Sequence, residues 1–252
     1  MPIISLITAV VDGLHEFLPE TYDSLRAQEL PRDWTWEWVV QEDGETGRPG
    51  SLLPTDDPRV SYAMAQRGRA STARTLALPR AAGTFVRALD ADDMLTPGAL
   101  ARDVEVLTTQ PVGWVVSPAR DLMPDGEVVD GPRDPDPGIL PEQTMYDGER
   151  DGLLPVLGTT VTTHTSLVRA LGAWQALPTD EDVALLLALE AVSPGWMLGE
   201  PSLLYRRWPG QTTADKDVNR PAEHSIRREV VMERADALRA MSWRWTPQGQ
   251  PA

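Results

Sequence analysis

Three times in the N-terminal third, an apolar run of strand length stops abruptly at acidic residues. Ile3–Val10 ends before Asp12-Gly13, residues 36–41 before Glu42-Asp43-Gly44, and residues 84–89 before Asp90-Ala91-Asp92-Asp93. Between these runs, apolar residues recur at helical spacing: Leu14, Leu18, Tyr22 and Leu25 through residue 28, then Ala73, Leu76 and Ala77 within 71–80, with Ser71 at the cap position. Residues 60–63 supply a further short strand. Strands that alternate with helices through short polar connections predict a parallel sheet covered by helices on both faces, and ligands then bind beyond the carboxyl ends of the strands. Asp12, Asp43 and Asp90 to Asp93 all fall at that edge. Carboxylates gathered there repel one another unless water, hydrogen bonds or a cation offsets the charge.

The pattern continues with a helix over 96–108 opened by Thr96-Pro97, a strand over 114–117 and a turn at Pro124-Asp125-Gly126-Glu127. Residues 131–141, dense in Pro, Asp and Gly, predict a loop without regular structure. An apolar, threonine-rich stretch over 156–163 follows, then helices over 166–171 and 179–191, strands over 196–198 and 203–207, a polar and mobile connection over 209–221, and a surface helix over 223–241. The helix at 179 begins Thr179-Asp180-Glu181-Asp182, acids where the helix dipole favours them. Trp34, Trp36 and Trp38 alternate as strand decoration, whereas Trp174, Trp196 and Trp208 lie in the second half, where an aromatic face could pack on a sugar ring.

Composition removes several function classes. A formal net charge of -15 opposes nucleic acid or an anionic membrane surface as the main partner. Without cysteine there are no disulfides, thiolate metal sites or cysteine nucleophiles. No apolar stretch is long enough to span a membrane, and Met1-Pro2-Ile3-Ile4 has no basic region before it, so a cytoplasmic location is expected.

Taken together, these residues resemble the inverting nucleotide-sugar glycosyltransferases of family 2, with the GT-A fold, over residues 3–213. Ile4-Ser5-Leu6-Ile7 through Thr21, Ser24-Leu25 and Gln28 is similar to the family's opening strand and helix. Glu42-Asp43-Gly44 stands at its paired-aspartate turn, Gly68 and Ala73-Arg74-Thr75-Leu76-Ala77 at its alanine-arginine-asparagine helix, and Leu89 to Asp93 at its metal-binding aspartate motif. Gly172, Trp174 and Glu181-Asp182 resemble the acceptor segment and catalytic acidic pair, and Tyr205 to Thr213 the closing tyrosine-arginine segment.

The resemblance implies a GT-A, Rossmann-like, mostly parallel sheet flanked by helices: a nucleotide-sugar-binding half over 1–117, an acceptor-binding half over 118–220, and a C-terminal helix and tail over 221–252. It implies transfer of a sugar from a nucleoside diphosphate sugar to a hydroxyl of a glycan or small molecule. UDP is expected first and dTDP or GDP next; a homodimer is compatible. Thr8, Asp43, Arg69, Arg74, Asp90 and Ala91 are then the nucleotide-sugar residues, with Asp43 on the nucleobase. Asp92 and Asp90 are the ligands of Mg2+ or Mn2+, Asp182 is the general base beside Glu181, and Trp174 and Trp208 line the acceptor pocket. Departures are Glu42 and Glu45 around Asp43, Thr75 for the helix asparagine, and Trp208 where many relatives carry a metal-binding histidine. His164 and His224 are the candidate replacements. A nucleotidyltransferase is disfavoured because residues 9–14 lack a glycine-rich, lysine-bearing phosphate loop. A catalytically silent nucleotide-sugar-binding or scaffold protein is the reading from another class.

Overall fold

The computed structural model describes residues 1–131, 134–211 and 221–247. The elements in chain order are β1 (Ile3–Val10), α1 (Leu18–Arg26), β2 (Thr35–Asp43), β3 (Val60–Ala65), α2 (Arg69–Ala77), β4 (Phe85–Ala88), β5 (Met94–Leu95), α3 (Ala99–Thr109), β6 (Trp114–Val116), β7 (Ala119–Leu122), β8 (Val128–Asp130), β9 (Gly138–Ile139), α4 (Thr144–Arg150), β10 (Thr162–His164), α5 (Thr165–Ala170), α6 (Glu181–Val192), β11 (Gly195–Met197), β12 (Leu203–Arg206) and α7 (Pro221–Ala240).

One sheet has the order β3-β2-β1-β4-β10-β6-β11-β9. Its first four strands are parallel, β10 runs antiparallel between β4 and β6, and β11 is again parallel to β6. The carboxyl ends of β1 to β4 therefore share one edge, and α6, which precedes β11, brings its N-terminus to the same edge. Both faces are covered, which is why the central strands are apolar at nearly every position. Ile4 and Leu6 of β1 and Trp36 and Trp38 of β2 pack with Leu18 and Leu25 of α1, while Ile7 and Val39 point to the opposite core beside α5 and α6. Helix α6 is buried on almost all sides, and α7 packs over it.

A second, smaller sheet, β5-β12-β7-β8, contains β12, the strand expected over 203–207, together with β5, β7 and β8, which are too short or too polar to stand out in the sequence. Between β4 and the second sheet lies a fully buried ion pair: Arg87 reaches Asp103 of α3 at 3.0 Å and Ser202 at 2.7 Å, and Thr162 donates to Asp103 at 2.6 Å. Gly195 is required by packing, since a Cβ there would lie 2.2 Å from the ring of Trp114.

Several expectations are corrected. The first helix begins at Leu18, not Leu14, with Pro19 in its first turn after a run of turns. Helix α2 begins at Arg69, and Ser71 donates to the Leu177 carbonyl instead of capping. Leu76, expected inside, is 47% exposed. Helix α4 was not foreseen; its N-terminal amides of Met145 and Tyr146 are capped by Glu190 of α6 at 2.7 and 2.9 Å. The short strand β9 lies in the stretch expected to be loop. The connection expected over 209–221 and the end of the tyrosine-arginine segment at Thr212 and Thr213 fall largely on residues outside those described. Among the described residues no helix is long and apolar enough to cross a membrane.

Candidate active site

The acidic residues singled out from the sequence converge. Asp43 ends β2, Asp90, Asp92 and Asp93 follow β4, and Glu181 and Asp182 begin α6. Arg74 joins two of these elements. Buried to 4% exposure on α2, it holds Asp90 through one guanidinium nitrogen and Glu181 through the other, each at 2.5 Å. This contact draws the end of β4 and the start of α6 against α2. Burial works to lower the Arg74 pKa, but the carboxylates of Asp90, Glu181 and Asp182 prevail and raise it. Arg74 is thus a permanent cation at the centre of the edge.

Asp43 secures the entry to α2. Its Oδ1 accepts the amides of Gly68 at 2.5 Å and Arg69 at 3.0 Å. Arg69 there adopts a φ of 73°, left-handed backbone that costs a non-glycine residue about 1 kcal/mol or more. Oδ2 faces Arg67 at 4.0 Å. Glu42, the departure beside Asp43, has a different task. It is buried and accepts from Thr46, Gly47 and Tyr62, tying down the turn. Burial works to raise its pKa, yet these hydrogen bonds outweigh burial and lower it. Thr8 does not offer its hydroxyl to a ligand: it donates to the Leu89 carbonyl at 2.6 Å and accepts from Trp38 at 2.8 Å.

The three aspartates after β4 differ in environment. Asp92 accepts the indole N–H of Trp208 at 2.7 Å, and its pKa is raised by burial and by the charge of Asp90. Asp93 is 1% exposed, takes the Arg206 amide at 2.9 Å on Oδ1, and has no partner for Oδ2. Burial and the neighbouring aspartates push it well above the ordinary carboxylate range. Arg206, whose role the sequence did not reveal, ties this turn to α1: it donates to the Asp92 carbonyl at 2.8 Å, pairs with Glu20 at 2.6 Å, and lies 4.3 Å over the Phe17 ring. Trp208 meets the same ring edge-on at 5.2 Å.

The crowding of Asp90, Asp92 and Asp93, which raises the pKa of Asp92 and Asp93, and the unpartnered Oδ2 of Asp93 suit a hard cation at this edge. However, among the described residues no group of three or more His, Asp or Glu side chains could hold a metal ion. The residues therefore fit Mg2+ or Mn2+ only as a partial shell, in which the carboxylates of Asp92 and Asp90 would be supplemented by ligand oxygens and water. Neither histidine completes it. His164 pairs in register with Phe85, the first residue of β4, at the far end of the strand from Asp90; burial pushes it down to about 4. His224 faces Asp180 at 3.7 Å.

At α6, Glu181 is pushed up to about 7, burial outweighing the attraction of Arg74. Asp182 is half-buried, with Oδ1 on the amide of Val183 at 2.9 Å and Oδ2 without a hydrogen bond among the described residues. Burial raises its pKa despite Arg74. It lies above a small cavity lined by Ala88, Gly158 and Trp174, and a Cβ on Gly158 would come within 2.4 Å of Oδ2. Trp174 is only 4% exposed and forms part of the core beneath this carboxylate, so little of its face is open to a sugar. The residue before the helix, Asp180, holds a φ of 67° and is pinned by Arg227 at 2.7 Å.

The uncharacterized protein y4gI of Sinorhizobium fredii is 30% identical over 130 residues, half of this chain but only 14% of that protein. The chain thus spans a small part of the length of this relative. Among solved structures, S. aureus TarS 1-349 in complex with UDP-GlcNAc superposes with a TM-score of 0.73 at 15% identity, covering 96% of this chain and 71% of that one. TarS 1-349 in complex with UDP gives a TM-score of 0.64 at 17% identity, with 96% and 70% covered. The shared architecture is the GT-A fold. The family model described as glycosyl transferase family 2 matches residues 5–169, from the first strand through the acidic turn and into α5, and the chain belongs to that family.

Proposed function

We propose that the protein is an inverting glycosyltransferase that moves a sugar from a nucleoside diphosphate sugar to a hydroxyl acceptor, with Asp182 as general base. The observation that carries this reading is the Arg74 bridge, which sets the Asp90 turn and the Glu181-Asp182 pair side by side at one sheet edge. The UDP-GlcNAc and UDP bound to TarS support a uridine nucleotide as the first donor to test.

In the proposed reaction Asp43 Oδ2 binds the nucleobase, Arg69 lies by the nucleotide, and Asp90 and the Ala91 backbone face the ribose and sugar. Mg2+ or Mn2+, held by Asp92 and Asp90, would neutralise charge on the departing diphosphate. Asp182 Oδ2 takes the proton of the acceptor hydroxyl as its oxygen bonds to the anomeric carbon. The bond from that carbon to the diphosphate oxygen breaks, and its electron pair leaves on the nucleoside diphosphate. The raised pKa makes Asp182 a stronger base, and Glu181, engaged by Arg74, positions it. Trp208 borders the acceptor side.

Donor turnover in Asp182→Asn is expected to fall on the order of 10²–10⁴-fold with UDP affinity retained. In the unaltered protein the rate should fall as pH drops through the elevated pKa of Asp182. Turnover that survives Asp182→Asn would sink this base. EDTA should abolish turnover and Mn2+ restore it. A second reading, a silent nucleotide-sugar-binding protein, is favoured by the Trp208 indole on Asp92. It predicts UDP binding with no turnover in the unaltered chain.

A further inference from the structure

A cavity of about 500 Å³ lies between α2, the loop before α6, and α7, with Trp174 as the wall it shares with the small cavity under Asp182. Ser71, Thr72, Thr75 and Leu76 face it. On a helix these positions form one side, whereas Arg74 turns away to Asp90 and Glu181. The volume is within the usual range of small-molecule sites.

Three side chains of its lining, Arg234, Gln175 and Thr72, keep donors without a partner among the described residues. Arg234 of α7 borders it and donates to the Leu171 carbonyl at 2.6 Å and to Gln175 Oε1 at 3.5 Å. A guanidinium carries five N–H groups, so three are left without a partner among the described residues. No described carboxylate lies within ion-pair distance of Arg234, in a chain with a net charge of -15. The Gln175 side-chain NH2 and the Thr72 hydroxyl also border the cavity, and neither donates to a described residue. Burial alone lowers the pKa of Arg234, the mark of a partly desolvated charge without a counterion. Convergent N–H and O–H donors around a cation suit an oxyanion, and the Thr72 hydroxyl suits a polar carrier, whereas Ser71 and Thr75 already donate to the Leu177 and Trp174 carbonyls.

We propose that this cavity is a binding site, separate from the acidic edge, for a small hydroxylated molecule bearing a phosphate or a carboxylate. The site does not depend on the glycosyltransferase reading, because none of its donors belongs to the acidic edge. Calorimetry on the whole chain with inorganic phosphate, glycerol 3-phosphate and glucuronic acid, each with and without saturating UDP, tests it. The expected result is binding of one of the organic probes, phosphate or carboxylate according to which arm responds, that UDP leaves unchanged. Arg234→Gln should weaken it about tenfold or more. Leu76→Trp, which fills the rim from a half-exposed position without removing a hydrogen bond, should weaken it comparably and guards against a folding defect in the first variant. Binding of none of the probes, displacement by UDP, or affinity unchanged in both variants would overturn the proposal.

Discussion

Glu181→Gln is expected to make the protein more stable at mildly alkaline pH, although it removes an ion pair to a buried arginine. Glu181 is 6% exposed and is pushed up to about 7 from an ordinary 4.5. Below pH 4.5 the carboxyl is protonated in the folded and unfolded chain alike. Between 4.5 and 7 the unfolded chain ionises while the folded chain keeps its proton, so the contribution of this group to stability is lost as pH rises through the folded value. At about 1.4 kcal/mol per pH unit, the gap from 4.5 to 7 amounts to about 3 kcal/mol. Glutamine keeps an oxygen for Arg74 and does not titrate. Urea unfolding at pH 4.5, 6 and 8 should show similar stability for the two proteins at the lowest pH, and an advantage for the variant growing to about 3 kcal/mol at the highest. Asp92 and Asp93 titrate in both proteins and largely cancel, whereas Asp182, whose charge helps raise the Glu181 pKa, is relieved of that repulsion in the variant, an effect in the same direction. A variant less stable than its parent at pH 8 would refute the reasoning: attraction to Arg74 would then outweigh the cost of burying the charge.

Two further outcomes test the packing. Arg87→Met strands Asp103 in the core and should cost about 3–5 kcal/mol in urea unfolding, whereas adding Asp103→Leu should recover most of the loss. Failure of the second substitution to rescue the first would show that the pair is more than a compensated burial of charge. Gly195→Ala should cost about 1–3 kcal/mol by the same measurement, because the new methyl meets the Trp114 ring. An unchanged midpoint would mean that this contact relaxes freely.

What could be read from the sequence was whatever is written locally. The apolar runs of β1, β2 and β4 and the acids that end them reveal both strand and edge, because one strand's length and polarity suffice to place them. Residues whose partners are distant in sequence were not legible in the same way. Thr8 looked available until Trp38 and Leu89 closed on its hydroxyl. Helix α4 owes its cap to Glu190, far along the chain, and nothing around Thr144 announces it. Strand β5 has two residues, too few for any periodicity, and acquires its meaning from β12. Leu76 follows the helical pattern but borders a cavity that only the placement of α7 creates. Arg206 sat inside a recognised segment, yet its ties to Asp92, Asp93 and Glu20 required the second sheet.

The turn after β4 has one more consequence, for anyone reading mutational scans of this protein. Within a few residues the chain passes from the large sheet, through Asp90 to Asp93, into β5 of the small one. Thr21 of α1 donates to the carbonyls of both Ala91 and Asp93 across that passage. The acidic turn is therefore also the seam of the fold. On the proposed reading, a substitution at Asp93 or Thr21 would lower turnover by loosening the join, and a screen scored on turnover alone would record it as lost chemistry. Solubility or melting measured alongside would separate the two, with Asp92 and Asp182, in the roles proposed for them, losing function in an intact fold and the seam residues losing both together.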